Sequence, residues 1–102
     1  MNWETKLQAL KAFAPHHLEM RKPGDWYVCS NVEIVSDGVL IGEYGNGTTP
    51  EEAVADHWRR LVDDLPLDKY LRGGTPGHTT YAKWNGFMWA DASHMRKQKS
   101  VA

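Results

Sequence analysis

The sequence predicts an α+β domain in which two helices pack on an antiparallel sheet built from two β-hairpins, in the order α-β-β-α-β-β. Two segments repeat apolar residues at helical spacing, whereas two others alternate with a period of two. The alternating segments contain Asp-Gly and Asn-Gly, which favour tight hairpin turns. The chain has 102 residues, about the size of one domain. We therefore expect a single domain over residues 1–92 and a frayed basic tail over residues 93–102.

The first helix is predicted over residues 2–14. Asn2 can serve as the N-cap, because its side-chain oxygen accepts a hydrogen bond from a free amide of the first turn. Pro15 then ends the helix. The apolar residues that recur every three or four positions are Trp3, Leu7, Leu10 and Ala14. We interpret residues 16–25 as a connection, because they contain Pro23-Gly24 and lack a clear period.

The first hairpin is predicted from Trp26 onward, where the apolar period changes to two. One strand would run over residues 26–34 and return over residues 39–44, with Asp37-Gly38 in the turn. The residues that would share one face of the outgoing strand are Trp26, Val28, Val32 and Ile34.

The second helix has the clearest start signal in the chain. Thr49 is a suitable N-cap, Pro50 suits the first helical position, and Glu52 can complete a capping box. The apolar stripe consists of Val54, Trp58, Leu61, Val62 and Leu65, and it predicts that Trp58 is buried. Pro66 breaks this pattern. We expect residues 67–72 to add one further turn, followed by a loop over residues 73–77.

The second hairpin is predicted around Asn85-Gly86 as a two-residue turn. In that register Trp84 faces Phe87 and Ala82 faces Trp89, and these four residues share one face of the sheet. We expect the helices to cover this face, because it offers the larger apolar area. The residues left facing outward would be Tyr81, Lys83 and Met88.

The composition excludes several classes of protein. The net charge of −1 gives no general attraction to nucleic acid or to an anionic membrane. No apolar run approaches the roughly 20 residues of a membrane span, so we expect no membrane partner. The single cysteine, Cys29, cannot form an internal disulfide, which favours a reducing compartment. The predicted location is the cytoplasm, or the host cytoplasm if the protein is phage-encoded.

No motif in the sequence indicates catalysis, a cofactor or a metal. The five histidines lack the spacing of zinc ligands. The glycines of residues 45–47 belong neither to a Walker loop nor to a dinucleotide fingerprint. A pair formed by Cys29 and a histidine would have to be assembled by the fold, and a strand cysteine more often packs as a small apolar group. We therefore predict no enzyme activity, no cofactor and no metal site.

The leading functional hypothesis is a small binding or regulatory protein that acts by protein–protein contact or self-association. Tyrosine and tryptophan are favoured interface anchors, so the candidate contact surface is the predicted outward trio of Tyr81, Lys83 and Met88. The alternative is an RNA- or DNA-binding α+β module, because aromatic rings can stack on bases. Its candidate nucleic-acid contacts are Arg59, Arg60, Arg96, Lys97 and Lys99. Against this alternative, residues 51–68 contain six acids and only two arginines.

Residues 27–61 resemble a unit found in small phage and prophage sandwich domains. The resemblance lies in two strands followed by Gly45-Asn46-Gly47-Thr48-Thr49-Pro50-Glu51-Glu52-Ala53, and it covers about a third of the chain. Similar units occur in HicB-like antitoxin domains, which also carry a separate DNA-binding element that we do not recognise in these residues. The resemblance implies a small phage α+β protein of uncharacterised function, and it implies no role for any single residue.

Overall fold

The structure is a computed structural model that describes residues 1–97. Over these residues the chain forms three α-helices and eight strands. The helices are α1 (Trp3–Phe13), α2 (Pro50–Trp58) and α3 (Ser93–Lys97). Helix α2 continues directly into a π-helical segment, Arg59–Asp63. The strands are β1 (His16–Lys22), β2 (Asp25–Ser30), β3 (Glu33–Ser36), β4 (Val39–Gly42), β5 (Gly45–Gly47), β6 (Tyr70–Thr75), β7 (His78–Trp84) and β8 (Trp89–Asp91).

The strands form two antiparallel sheets. The smaller sheet has the order β1-β2-β5 and the larger has the order β4-β3-β6-β7-β8. This confirms the α+β class and the antiparallel pairing. The prediction of one sheet built from two hairpins is wrong. The predicted element order, α-β-β-α-β-β, is wrong as well.

Helices α1 and α2 pack together and cover one face of each sheet. One buried cluster joins them to the larger sheet: Leu10, Phe13, Ala14, Val32, Trp58, Leu61, Leu65, Leu71 and Ala82. A second joins them to the smaller sheet: Leu7, Val28, Ala53 and Val54. A third lies on the opposite face of the larger sheet: Val35, Tyr70 and Ala92. Trp58 is only 4% exposed, which confirms the predicted burial of this side chain.

The two longer helices, α1 and α2, begin where their N-cap residues predict. The Asn2 Oδ1 atom accepts a hydrogen bond from the Thr5 amide at 2.8 Å, and the Thr49 Oγ1 atom accepts from the Glu52 amide at 3.1 Å. The Glu52 carboxylate accepts from the Thr48 amide at 2.8 Å, one residue before the position that a capping box would use. Both predicted N-caps are confirmed.

The predicted connection over residues 16–25 is wrong, because residues 16–22 form strand β1. This strand pairs with β2 from His16 opposite Ser30 to Met20 opposite Trp26. Most of its side chains are exposed, so its sequence is too polar to show the alternation that identifies a half-buried strand.

The predicted strand over residues 26–34 is two strands that belong to different sheets. The chain changes sheets between β2 and β3 at Asn31 and Val32, where the Val32 amide donates to Ser30 Oγ at 3.1 Å and Asn31 Nδ2 donates to the Gly74 carbonyl at 2.7 Å. A break of two residues preserves the odd–even alternation. The sequence pattern therefore continues across the break without revealing it.

The predicted extra helical turn at residues 67–72 and the loop at residues 73–77 are also wrong. Strand β6 occupies Tyr70–Thr75. The loop was predicted because consecutive glycines, here Gly73 and Gly74, usually mark a turn or loop. A Cβ atom on Gly73 would lie 3.2 Å from the Phe13 ring. Glycine at this position allows α1 to pack closely on the larger sheet.

Strand β5 lies close against α2, and Gly45 is the point of closest approach. A Cβ atom on Gly45 would lie 2.2 Å from the Ala53 carbonyl oxygen and 2.5 Å from the His57 Cβ atom. We expect Gly45→Ala to lower the free energy of unfolding by about 1–3 kcal/mol, the usual cost of overpacking. Urea denaturation would measure the change. Gly42→Ala is the matched control, since nothing lies within 4 Å of its added Cβ; equal effects of the two changes would contradict this prediction.

Candidate protein-contact surface

The second hairpin exists, but its turn has four residues instead of two. Trp84 pairs with Trp89, and the Asn85 amide donates to the Met88 carbonyl at 3.0 Å. The Asn85 Oδ1 atom accepts from the amides of Phe87 and Met88, each at 2.9 Å. This side-chain capping stabilises a wider turn than Asn-Gly usually forms. The predicted hairpin is confirmed and the predicted register is wrong.

The helices cover the tryptophan face of this hairpin, as predicted, but Phe87 is not part of that face. The ring of Trp84 lies 5.1 Å from that of Trp58, and the ring of Trp89 lies 5.0 Å from that of Phe13. The Trp89 Nε1–H group donates to the Ala9 carbonyl at 2.7 Å. Phe87 lies in the turn and is 90% exposed.

The predicted trio of Tyr81, Lys83 and Met88 does not form one exposed surface. Tyr81 is half-buried against the third core cluster, with the Arg96 guanidinium 4.4 Å above its ring. Lys83 Nζ donates to the carbonyls of Pro66, Leu67 and Lys69 at 2.7–2.8 Å, and burial lowers the pKa of its ammonium. Met88 is exposed in the turn. Two of the three side chains are therefore occupied by contacts within the chain.

The cations of the nucleic-acid alternative are mostly engaged as well. Arg59 pairs with Asp56 at 2.8 Å and with Asp64 at 2.6 Å. Arg60 pairs with Asp56 and Glu43, both at 3.2 Å. These carboxylates would have to be displaced before either guanidinium could bind a phosphate in their place.

The C-terminal cations lie at the limit of the described chain. Residues 93–97 form α3, where a frayed tail was predicted, and Arg96 stacks on Tyr81 as described above. Lys97 is the last residue of this helix. Lys99, and the predicted tail from residue 98 onward, lie outside the described residues.

The fold brings Cys29 and His17 to opposite positions on β2 and β1, beside a shallow pocket that Asn31 also lines. A nucleophile–base pair requires the two side chains to lie within hydrogen-bonding reach. Within residues 1–97, no hydrogen bond joins the Cys29 thiol to the His17 imidazole. In the same part of the chain, no three or more His, Cys, Asp or Glu side chains lie together in a way that could hold a metal ion. Its helices are all too short or too polar to cross a membrane.

Strand β4 presents three large aliphatic side chains to solvent. Val39 is 60% exposed, Leu40 is 44% exposed and Ile41 is 42% exposed. The strand follows the predicted Asp37-Gly38 turn, which is confirmed by positive φ angles of 52° and 82°. Among the described strands, only β3 pairs with β4. Its other side is an open edge, and we call Val39–Gly42 the β4 edge.

Both faces of the β4 edge are apolar. Paired residues of a sheet lie on the same face. Ile41 pairs with Ile34 on the face that the helices cover, and Leu40 pairs with Val35 on the face of the third core cluster. The aliphatic surface therefore continues outward from two buried clusters.

The β4 edge also offers unpaired backbone groups. Across the two-residue turn, Ser36 and Val39 form the hydrogen-bonded pair that closes the hairpin. Because hydrogen-bonded and non-hydrogen-bonded pairs alternate along an antiparallel ladder, the N–H and C=O groups of Leu40 and Gly42 point away from β3. They face the open side of the sheet.

The other edges in the described chain are protected in ways that β4 is not. Strand β1 carries exposed charges at Glu19, Arg21 and Lys22, a common defence against edge pairing. Strand β5 lies against α2. Strand β8 has three residues and ends just before α3. The β4 edge is therefore the candidate site, and the signal in the sequence was its run of three consecutive aliphatic residues without a charge.

Comparisons of this chain with protein-family models, with curated proteins and with solved structures find no match. The resemblance to phage sandwich domains stays a prediction.

Proposed function

We propose that this chain is a small non-enzymatic binding protein that acts by protein–protein contact, and that the β4 edge is its contact surface. The observation that supports the proposal most strongly is an uncharged edge strand whose aliphatic side chains are 42–60% exposed. Natural proteins usually protect such an edge, because it is a template for another strand.

Strand addition would use the two features that the β4 edge combines. The outward N–H and C=O groups of Leu40 and Gly42 can continue the ladder into a partner strand, and main-chain hydrogen bonds of this kind supply affinity. The side chains of Val39, Leu40 and Ile41 can then be covered by the partner, at about 25 cal/mol of stabilisation for each Å² of apolar area removed from water.

The turn of the second hairpin is a weaker candidate. Phe87 and Met88 are both exposed there, but the adjoining edge strand β8 has only three residues and so offers a shorter ladder than β4. An isolated exposed apolar side chain is common on protein surfaces. The β4 edge is favoured because apolar area and directional backbone groups coincide.

Ile41→Lys tests the proposal, because it places a charge in the middle of the contact surface. We expect the variant to fold, since Ile41 is already partly exposed, and to lose the protein partners that the unaltered chain captures from its source cells. Capture followed by mass spectrometry, with and without nuclease treatment, would measure this. Met20→Lys is the matched control: it makes a similar change on edge strand β1, at a side chain that is 52% exposed.

The proposal requires that Met20→Lys retain the partners and that nuclease have no effect. Capture that Ile41→Lys leaves unchanged would exclude the β4 edge as the contact surface. Capture that nuclease abolishes would instead favour the RNA- or DNA-binding alternative.

A further inference from the structure

We propose that the occupant of the β4 edge is a second copy of this chain. Two β4 strands would pair antiparallel about a two-fold axis and join two five-stranded sheets into one sheet of ten strands. The inference rests on the proposed function, because it assigns a partner to the same surface.

The free backbone groups define the register of this pairing. Hydrogen-bonded pairs across the interface must involve Leu40 and Gly42, the residues whose N–H and C=O groups face outward. If Leu40 pairs with Gly42 of the second copy, symmetry generates the same pair again, and the two pairs contain four hydrogen bonds. The alternative in which Leu40 pairs with Leu40 would bring Gly38, a turn residue with φ of 82°, opposite Gly42. The first register is therefore favoured.

In this register Ile41 lies opposite Ile41 of the second copy. The pair is of the non-hydrogen-bonded kind, in which opposing Cα atoms approach to about 4.5 Å. Each isoleucine would cover the other. Because the two-fold axis is perpendicular to the joined sheet, the helices of both copies would lie on the same side of it.

The charges around the β4 edge favour an uncharged partner. Three flanking carboxylates have partners within the chain: Glu33 with Arg72 at 3.0 Å, Glu43 with Arg60 at 3.2 Å, and Asp37 with Lys69 at 3.3 Å. The strand between them carries no charge. A second copy supplies a neutral aliphatic strand and brings its acids already paired, so like-charge repulsion between the two copies is small.

Sedimentation equilibrium of the full chain over a range of concentrations tests the dimer. We expect a concentration-dependent monomer–dimer equilibrium, with a dissociation constant raised at least about tenfold by Ile41→Lys, because two lysines would face each other across the axis. Met20→Lys should leave the constant unchanged. A monomer at every concentration, or a dimer that Ile41→Lys does not weaken, would overturn the inference.

Cysteine cross-linking tests the register. In a Cys29→Ser background, Ile41→Cys should form a disulfide-linked dimer when oxidised glutathione is added, because the opposing residues are close enough for a disulfide. Val39→Cys is the control. Its counterpart in the second copy would be displaced by four residues, roughly 13 Å along the strand, so it should cross-link much more slowly. Faster cross-linking of Val39→Cys than of Ile41→Cys would overturn this register.

The outcomes separate the inference from the proposed function. If the chain is monomeric but its capture of another protein still depends on Ile41, the second copy is the wrong partner and the β4 edge remains a contact surface. If neither self-association nor capture depends on Ile41, both proposals fail.

Discussion

Trp58→Ala is expected to lower the free energy of unfolding by about 3–5 kcal/mol, the range for truncating a buried aromatic side chain. The indole is 4% exposed, and its ring lies 5.1 Å from that of Trp84 and 6.2 Å from that of Trp89. Removing it would leave a cavity where α2 meets the larger sheet. Since small domains have about 5–15 kcal/mol of stability in total, the midpoint of urea denaturation should fall sharply.

Phe87→Ala is the control for this experiment. It also removes an aromatic ring, but Phe87 is 90% exposed, and surface substitutions usually change stability by less than about 0.5 kcal/mol. A loss of comparable size in the two variants would show that the aromatic cluster around Trp58 is not a principal source of stability.

Lowering the pH is expected to reduce the free energy of unfolding because the unfolded chain binds a proton at His57. This loss begins at a higher pH than the titration of most carboxylates. Burial lowers the pKa of His57 from 6.5 to about 4. That value already includes smaller lowering contributions from the charges of His16, whose ring lies 5.3 Å away, and of Arg60, and an opposing contribution from Asp56. Burial also lowers the pKa of His16.

The direction of the pH dependence follows from these shifts. Between pH 6.5 and about 4, the unfolded chain binds a proton at His57 that the folded chain does not bind. The free energy of unfolding therefore falls as the pH decreases through this window, by about 3 kcal/mol from His57 alone, and it is independent of this group above the window. Hydrogen bonds from Ser93 hold the pKa of Asp91 below 3.8, so the contribution of that carboxylate is lost only at lower pH.

Urea denaturation at pH 7 and at pH 4.5 would measure this effect. His57→Gln should be less stable at pH 7 but should depend less on pH, because the titrating group is gone. His94→Gln, at an exposed position, should keep the pH dependence of the unaltered chain. A His57→Gln variant with an undiminished pH dependence would contradict the assignment to His57.

Local chemistry in the sequence was sufficient to predict several parts of the fold. The caps at Asn2 and Thr49, the Asp37-Gly38 turn and the burial of Trp58 each depend on residues within one turn of the chain or on one helix face. The four-residue turn after Trp84 was missed because the Asn85 side chain itself bonds the backbone, an alternative that the Asn-Gly pattern does not distinguish.

The candidate site could not be predicted in the same way. Residues 39–44 were correctly expected to contain a returning strand, yet an uninterrupted aliphatic run is also consistent with a strand buried on both faces, so the run alone does not distinguish the two. Whether Val39, Leu40 and Ile41 are covered depends on which strand lies beside them. That neighbour is determined by pairing between β3 and β6, which are more than thirty residues apart, and not by local sequence.

The hydrogen bond from Trp89 to the Ala9 carbonyl spans 80 residues, and this separation affects how the chain can fold during synthesis. Helix α1 has 11 residues, and a helix of that length is marginal in water without a packing partner. A ribosome adds about 5–20 residues per second, so the β8 surface that receives Phe13 is synthesised on the order of ten seconds after α1. During that interval the apolar face of α1 cannot make its native contacts with β8, and it is available to chaperones or to other nascent chains.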